Sequence, residues 1–216
     1  PDYWPTIREI CDKYGVLLIC DEVITGFGRT GKWFATEHWG INPDIFTVAK
    51  ALTSGYQPIG ATITSKAVAD AFIGEPSSTF KHLITFGGNP AACAAALVNL
   101  EIMEQEDLVT NSATMGTYMY ERLQSFYEHP IVGDVRGGMG LLAAVELVKN
   151  RDTREKFPAE AGLVQKATES MNKRGLLGRF MGDALHLAPP LSITKDEVDH
   201  LVDSLEGVVT DLEDSF

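Results

Sequence analysis

The chain has 216 residues and a mass of 23.6 kDa, with 44% apolar and 22% charged residues, which is ordinary globular usage with length enough for a buried core. Eighteen basic residues against 30 acidic ones leave a net charge of −12, which excludes the basic footprint of a nucleic-acid binder and a polybasic membrane surface. No stretch approaches the ~18 apolar residues of a membrane span, and the opening Pro1-Asp2-Tyr3-Trp4-Pro5 has neither a basic region nor an apolar signal core. The cysteines Cys11, Cys20 and Cys93 are odd in number and form no CxxC pair, and Cys20 and Cys93 sit in apolar runs. Neither a disulfide framework nor a zinc cluster is expected, and a reducing, cytosolic setting fits. The chain opens without Met and as if inside a loop, and it reads as a fragment or processed piece of a longer protein.

In chain order, Thr6 to Tyr14 predicts a helix with Ile7, Ile10 and Cys11 on one face, stopped by Gly15. Val16 to Cys20 is continuously apolar and ends at Asp21-Glu22, the pattern of a strand buried on both faces of a parallel sheet. Gly26, Gly28 and Gly31 make Thr25 to Lys32 a loop. Ile45 to Ala49 predicts a second strand ending at Lys50, and Ile59 to Thr64 a third. Ser65 caps a helix to about Phe72. Gly74 to Pro90 reads as a long loop of a kind that is usually functional. Pro90 suits the first turn of a helix whose small residues, Ala91 to Ala96, favour close packing. Another helix is predicted from Leu108 to Tyr127.

The texture then changes. Strands are predicted at Ile131 to Arg136, Leu141 to Val148, Gly175 to Arg179 and Ala184 to Ala188, with a helix near Glu160 to Arg174. Thr194 and Glu197 form a capping box ahead of a helix whose apolar stripe runs from Val198 to Leu212. The first half thus alternates helix and strand as a doubly wound α/β sheet does, and the second resembles a small α+β domain. The expected division is residues 1–108 and 109–216.

Two residues stand out chemically. Lys50 follows the apolar Ile45-Phe46-Thr47-Val48-Ala49, so its ammonium is expected to be partly stripped of water, which frees the amine for nucleophilic or Schiff-base work. The same position also suits a lysine that reaches water from a strand end. Asp21 ends the first strand, where open α/β sheets bind ligands, although an aspartate there can also cap a turn. Two groups of opposite charge at strand ends of one sheet can face a single ligand.

Asp21-Glu22-Val23-Ile24-Thr25-Gly26-Phe27-Gly28-Arg29-Thr30-Gly31 resembles the DEV-x-x-GFGRTG segment of class III aminotransferases, which are omega-aminotransferases that use pyridoxal 5'-phosphate (PLP) on fold type I. Pro43 to Leu52, with Gly55, Pro58, Ile59, Gly60 and Ala61, is similar to the family's Schiff-base lysine segment. Thr85 to Ala94 resembles its next block. Val135-Arg136-Gly137, Glu146-Leu147 and Ala188-Pro189-Pro190-Leu191 look like its small-domain signatures. The resemblance runs nearly end to end and matches the C-terminal half of the family. It implies part of a large doubly wound PLP-binding domain over 1–108 and a small C-terminal α+β domain over 109–216.

The resemblance also implies roles. Lys50 forms the Schiff base with PLP and then shuttles the substrate proton. Asp21 keeps the pyridine nitrogen protonated. Val23 packs on the ring, and Thr85 reaches the cofactor phosphate of a neighbouring subunit, which implies a homodimer. Arg179 resembles the mobile arginine that clamps a substrate carboxylate, although a surface arginine at a strand end is equally ordinary. Glu22 and Arg29 are read as structural, through salt links or loop shaping. No metal site is expected.

The implied reaction moves an amino group from a small-molecule amine or omega-amino acid to a keto acid, with pyruvate the expected acceptor. Same-family alternatives are an aminomutase, racemase or decarboxylase, and an inert fragment with a structural role is a third. The family's Gly-Ser phosphate cup and ring-stacking aromatic precede the matched region. The chain is therefore expected to hold half a site, to bind PLP weakly alone, and to be completed by an N-terminal companion half if it is not a truncation or a proteolytic piece.

Overall fold

The computed structural model describes residues 2–216. The chain folds into two compact units. The first runs to Val109 except for Arg29–Gly31, which pack with Thr110–Phe216 in the second.

The first unit begins with α1 (Tyr3–Tyr14), which starts earlier than Thr6 because Pro5 is tolerated in a first helical turn. Gly15 closes the helix at φ +65°, a conformation natural to glycine. Strands β1 (Ile19–Asp21), β2 (Ile45–Val48) and β3 (Ala61–Thr64) follow. The sheet order is β1-β2-β3, with β1 and β2 parallel and β3 antiparallel to β2, Val48 lying opposite Ala61.

The reading of β1 as buried on both faces does not hold within this chain. Cys20 packs with Cys11, Leu18 and Ile41 beneath α1, with Trp4 and Trp39 alongside, while Ile19 on the other face is 60% exposed. Val16 and Leu17 precede the strand and are exposed as well.

Ser65 caps the short α2 (Lys66–Asp70), its hydroxyl accepting from the Val68 amide. A long exposed stretch leads to α3 (Pro90–Gln105), where Asn89 Oδ1 accepts from the amides of Ala91 and Ala92 and Pro90 fills the first position. Helix α3 buries Ala92, Ala96 and Met103 but leaves Leu97, Val98 and Ile102 exposed.

Helix α4 (Leu108–Leu123) leads into the second unit and ends in a 3₁₀ turn, Gln124–Glu128. Strands β4 (Val132–Arg136), β5 (Ala143–Leu147), β6 (Arg179–Met181) and β7 (Ala184–Leu187) form an antiparallel sheet ordered β4-β5-β7-β6. Helix α5 (Leu163–Lys173) packs on α6 (Lys195–Glu213). The strand expected to end at Arg179 instead begins there. The turn through Gly182 at φ +60° folds β6 directly onto β7, so only Arg179 to Met181 find partners.

The capping box is present: Thr194 Oγ1 accepts from the Glu197 amide and the Glu197 carboxylate accepts from the Thr194 amide. The α6 stripe is buried together with Met119, Leu123 and Phe126 from the α4 side and Val132, Val145, Leu147 and Leu185 from the sheet. Among the described residues, no helix is long and apolar enough to cross a membrane.

Candidate functional site

Because β1 and β2 run parallel in register, with Asp21 beside Thr47, their carboxyl ends open on one edge of the sheet. Asp21 closes β1 there and Lys50 follows β2 by two residues. The Thr47 hydroxyl donates to Asp21 Oδ1 at 3.1 Å, and the Val23 amide donates to the same oxygen at 2.9 Å. The carboxylate is thereby fixed at the strand end while Asp21 stays exposed and Val23 half-buried. The help from Thr47 comes through the register between two strands distant in sequence, which no local pattern reveals.

Lys50 opens a 3₁₀ turn, Lys50–Leu52, at φ +43°. A residue with a Cβ in this left-handed region costs on the order of 1–3 kcal/mol unless its surroundings hold it. The expected loss of water at Lys50 is not found here. Burial stops at Val48, and the reversal of φ turns Lys50 out of the strand into an exposed position.

Glu22, next to Asp21, is 2% exposed, and both of its carboxylate oxygens accept hydrogen bonds. It accepts from the Thr36 amide at 2.9 Å, the Ala35 amide at 3.1 Å and the Thr25 hydroxyl. It thus staples the glycine loop that follows Asp21, which is loop shaping without a salt link. Arg29, in the second unit, donates to the carbonyls of Pro189 at 2.6 Å and Leu141 at 3.0 Å. Burial pulls its guanidinium below the ordinary value.

Asp21, Val23 and Lys50 therefore share one sheet edge. Thr85 lies in the exposed stretch before α3, flanked by exposed Leu83, Ile84 and Phe86. Arg179 is exposed at the start of β6 in the second unit, opposite His186. Among the described residues, no group of three His, Cys, Asp or Glu side chains could hold a metal ion.

The solved transaminase structures on which the chain superposes place it in the α/β class of PLP fold type I. The family description "Aminotransferase class-III" matches residues 1–209. The chain is 42% identical over 223 residues to a taurine–pyruvate aminotransferase of Bilophila wadsworthia, covering 99% of this chain and 49% of that protein. It is 41% identical over 204 residues to a putrescine–pyruvate aminotransferase of Pseudomonas aeruginosa, covering 94% and 44%. The crystal structure of an (S)-enantioselective omega-transaminase from Thermomicrobium roseum superposes with a TM-score of 0.94 at 42% identity, covering 97% of this chain and 46% of that one. The chain belongs to the class III aminotransferase family, and it spans about half the length of the curated relatives it matches.

The cofactor of this family is PLP. The residues present fit it: an exposed carboxylate and an exposed primary amine at one sheet edge match a ligand that carries a basic ring nitrogen and an aldehyde.

Proposed function

We propose that this chain supplies the Schiff-base half of a PLP-dependent transaminase, which moves an amino group from an amine or omega-amino acid to a keto acid. The observation that carries the reading is that Asp21 and Lys50 close or follow two parallel, registered strands at the same, carboxyl edge of the sheet. When bound, PLP supplies an electron sink for cleavage at the substrate Cα.

The chain's own residues do the rest. The Lys50 Nζ would hold the cofactor covalently and, as a free amine, would take the proton from the substrate Cα. The Asp21 carboxylate holds a proton on the ring nitrogen, and its anchoring by Thr47 and Val23 keeps it in place through the cycle. Val23 packs on one face of the ring. Thr85 reaches the cofactor phosphate of a second subunit, in a homodimer of the complete protein or in a complex with an N-terminal companion half. The exposed apolar residues on either side of Thr85 support that placement. Residues 1–108 are the part of the large PLP-binding domain and residues 109–216 the small domain.

Arg179 clamps the acceptor's carboxylate through paired N–H donors. Pyruvate is the proposed acceptor, supported by the two pyruvate-named relatives. Three unpaired thiols suit a reducing, cytoplasmic setting.

The test is borohydride reduction of the PLP-loaded complete protein, followed by peptide mapping. The pyridoxyl label is expected on Lys50, and Lys50→Ala is expected to abolish it with the fold intact. A label on another lysine overturns the reading.

A further inference from the structure

Asn99 lies on α3, half-buried, and its side chain reaches the turn that begins at Lys50. Its Nδ2 donates to the Ala51 carbonyl at 2.9 Å and to the Leu52 carbonyl at 3.3 Å, and its Oδ1 accepts from the Ser54 hydroxyl at 2.7 Å. One amide thus ties three of the four residues that follow Lys50. The turn's first hydrogen bond, Leu52 N to Ala49 O, is 2.9 Å, but the next two are long, Thr53 N to Lys50 O at 3.3 Å and Ser54 N to Ala51 O at 3.4 Å. Lys50 and Ser54 both hold φ positive without being glycine, at +43° and +50°. A turn whose last two internal bonds are long and which contains two left-handed residues calls for support from outside it. The bonds from Asn99 to Ala51 and Ser54 are shorter than those last two, and they come from the middle of a regular helix.

The geometry points to Asn99 as the positioning residue for the reacting amine: by bracing Ala51, Leu52 and Ser54 it fixes where the Lys50 backbone, and so its ammonium, stands at the sheet edge. This rests on the reading of Lys50 as the PLP lysine. Asn99 touches neither substrate nor cofactor in this role and acts through Lys50.

The test uses Asn99→Asp in the complete protein. That variant keeps the shape and the acceptor for Ser54 but removes both N–H donors. Without PLP, amide hydrogen exchange at Thr53 and Ser54 is expected to rise about tenfold, the worth of one ordinary hydrogen bond. With PLP, borohydride capture on Lys50 is expected to slow by about the same factor, and the pH midpoint of the bound cofactor's visible absorbance to move. A merely structural role for Asn99 would lower the thermal midpoint and leave that pH midpoint in place in Ser54→Ala, which brings no new charge near the amine. Ser54→Ala removes only the third bond. It is expected to change the same readouts in the same direction by a smaller factor, and it decides the matter if Asn99→Asp does not fold. If the unaltered protein carries the label on another lysine, the Lys50 reading fails and the Asn99 role with it. If Lys50 is labelled equally fast in both proteins, with the same pH midpoint, the Asn99 role alone is overturned.

Discussion

Each unit sets helices against a sheet, yet the second buries most of its apolar residues, Leu177 being an exposed exception, while the first leaves many of them in solvent. In the second unit a continuous cluster runs from Met119 to Leu212, and Phe126, Val145 and Val198 are wholly enclosed. In the first, the buried cluster found among the described residues is Cys11, Leu18, Cys20 and Ile41. Exposed there are Ile19, Tyr56, Phe80, Leu83, Ile84, Phe86 and Leu97, with Leu83 at 99%. The unit with the denser core carries only Arg179 of the proposed site residues. The sparsely filled unit carries Asp21, Val23, Lys50 and Thr85. Exposed apolar patches mark interaction surfaces, which supports the proposal that a second subunit or a companion half covers the first unit.

The largest expected effect tests this contrast on stability. Phe126→Ala should destabilise the second unit by about 3–5 kcal/mol, the usual result of emptying an aromatic site in a packed core. Leu83→Ala should stay within about 0.5 kcal/mol of the unaltered chain. Denaturant titration of the two variants measures both. A large loss at Leu83 would show that the first unit has a core the contrast denies it.

Next in size is Asp21→Asn. It cannot hold a proton on the ring nitrogen as a carboxylate does, and a barrier increase of ~3 kcal/mol, roughly 10²-fold in rate, is expected. Its thermal midpoint should hardly move, because Asp21 is exposed. Stopped-flow half-reactions and a melting curve give the two numbers, and near-normal rates would remove Asp21 from the site.

Arg179→Ala should weaken the reaction with pyruvate or an omega-amino acid by ~1.5–3 kcal/mol, about 10- to 150-fold in kcat/KM. The half-reaction with an arylalkylamine donor, which has no carboxylate, should change little. Equal losses with both donors would make the arginine a support for β6 rather than a clamp.

The smallest effect is a pH dependence. The Leu18 amide, donating at 2.8 Å, and the Arg8 guanidinium, at 2.9 Å, hold the Asp44 carboxyl below its ordinary range. A depressed carboxyl contributes its stability above the ordinary aspartate value and loses it as pH falls through the lower, folded value. The melting midpoint of the first unit should therefore drop on acidification below about pH 4. Asp44→Asn should flatten that acid limb and lower the midpoint at neutral pH. An acid limb of the first unit unchanged in Asp44→Asn would show that Asp44 does not set it.

What could be read from the residues divides along physical lines. The Thr194–Glu197 box, the Ser65 cap and the Pro90 start involve partners within three or four residues, so sequence spacing reveals them. The placement of Asp21 and Lys50 at strand ends was legible because each closes an apolar run. The burial of β1 was not, since an apolar run tells that a strand wants cover and not which residues provide it. Glu22 gripping the amides of Ala35 and Thr36, and Thr47 supporting Asp21, depend on how distant segments are brought together. The start of β6 at Arg179 depended on a turn at Gly182 that pairs only three residues with β7.

Arg29–Gly31 have a consequence for how this polypeptide can be divided. These three residues pack with the second unit although their neighbours on both sides belong to the first, so the backbone passes between the units three times. No single cut separates the two. A piece beginning at Thr110 would lose the guanidinium that bonds the Leu141 and Pro189 carbonyls, and Gly140, held at φ +61° against the Thr30 backbone, would lose its neighbour. Shuffling the C-terminal unit between relatives would therefore require exchanging a loop from the other half of the chain along with it.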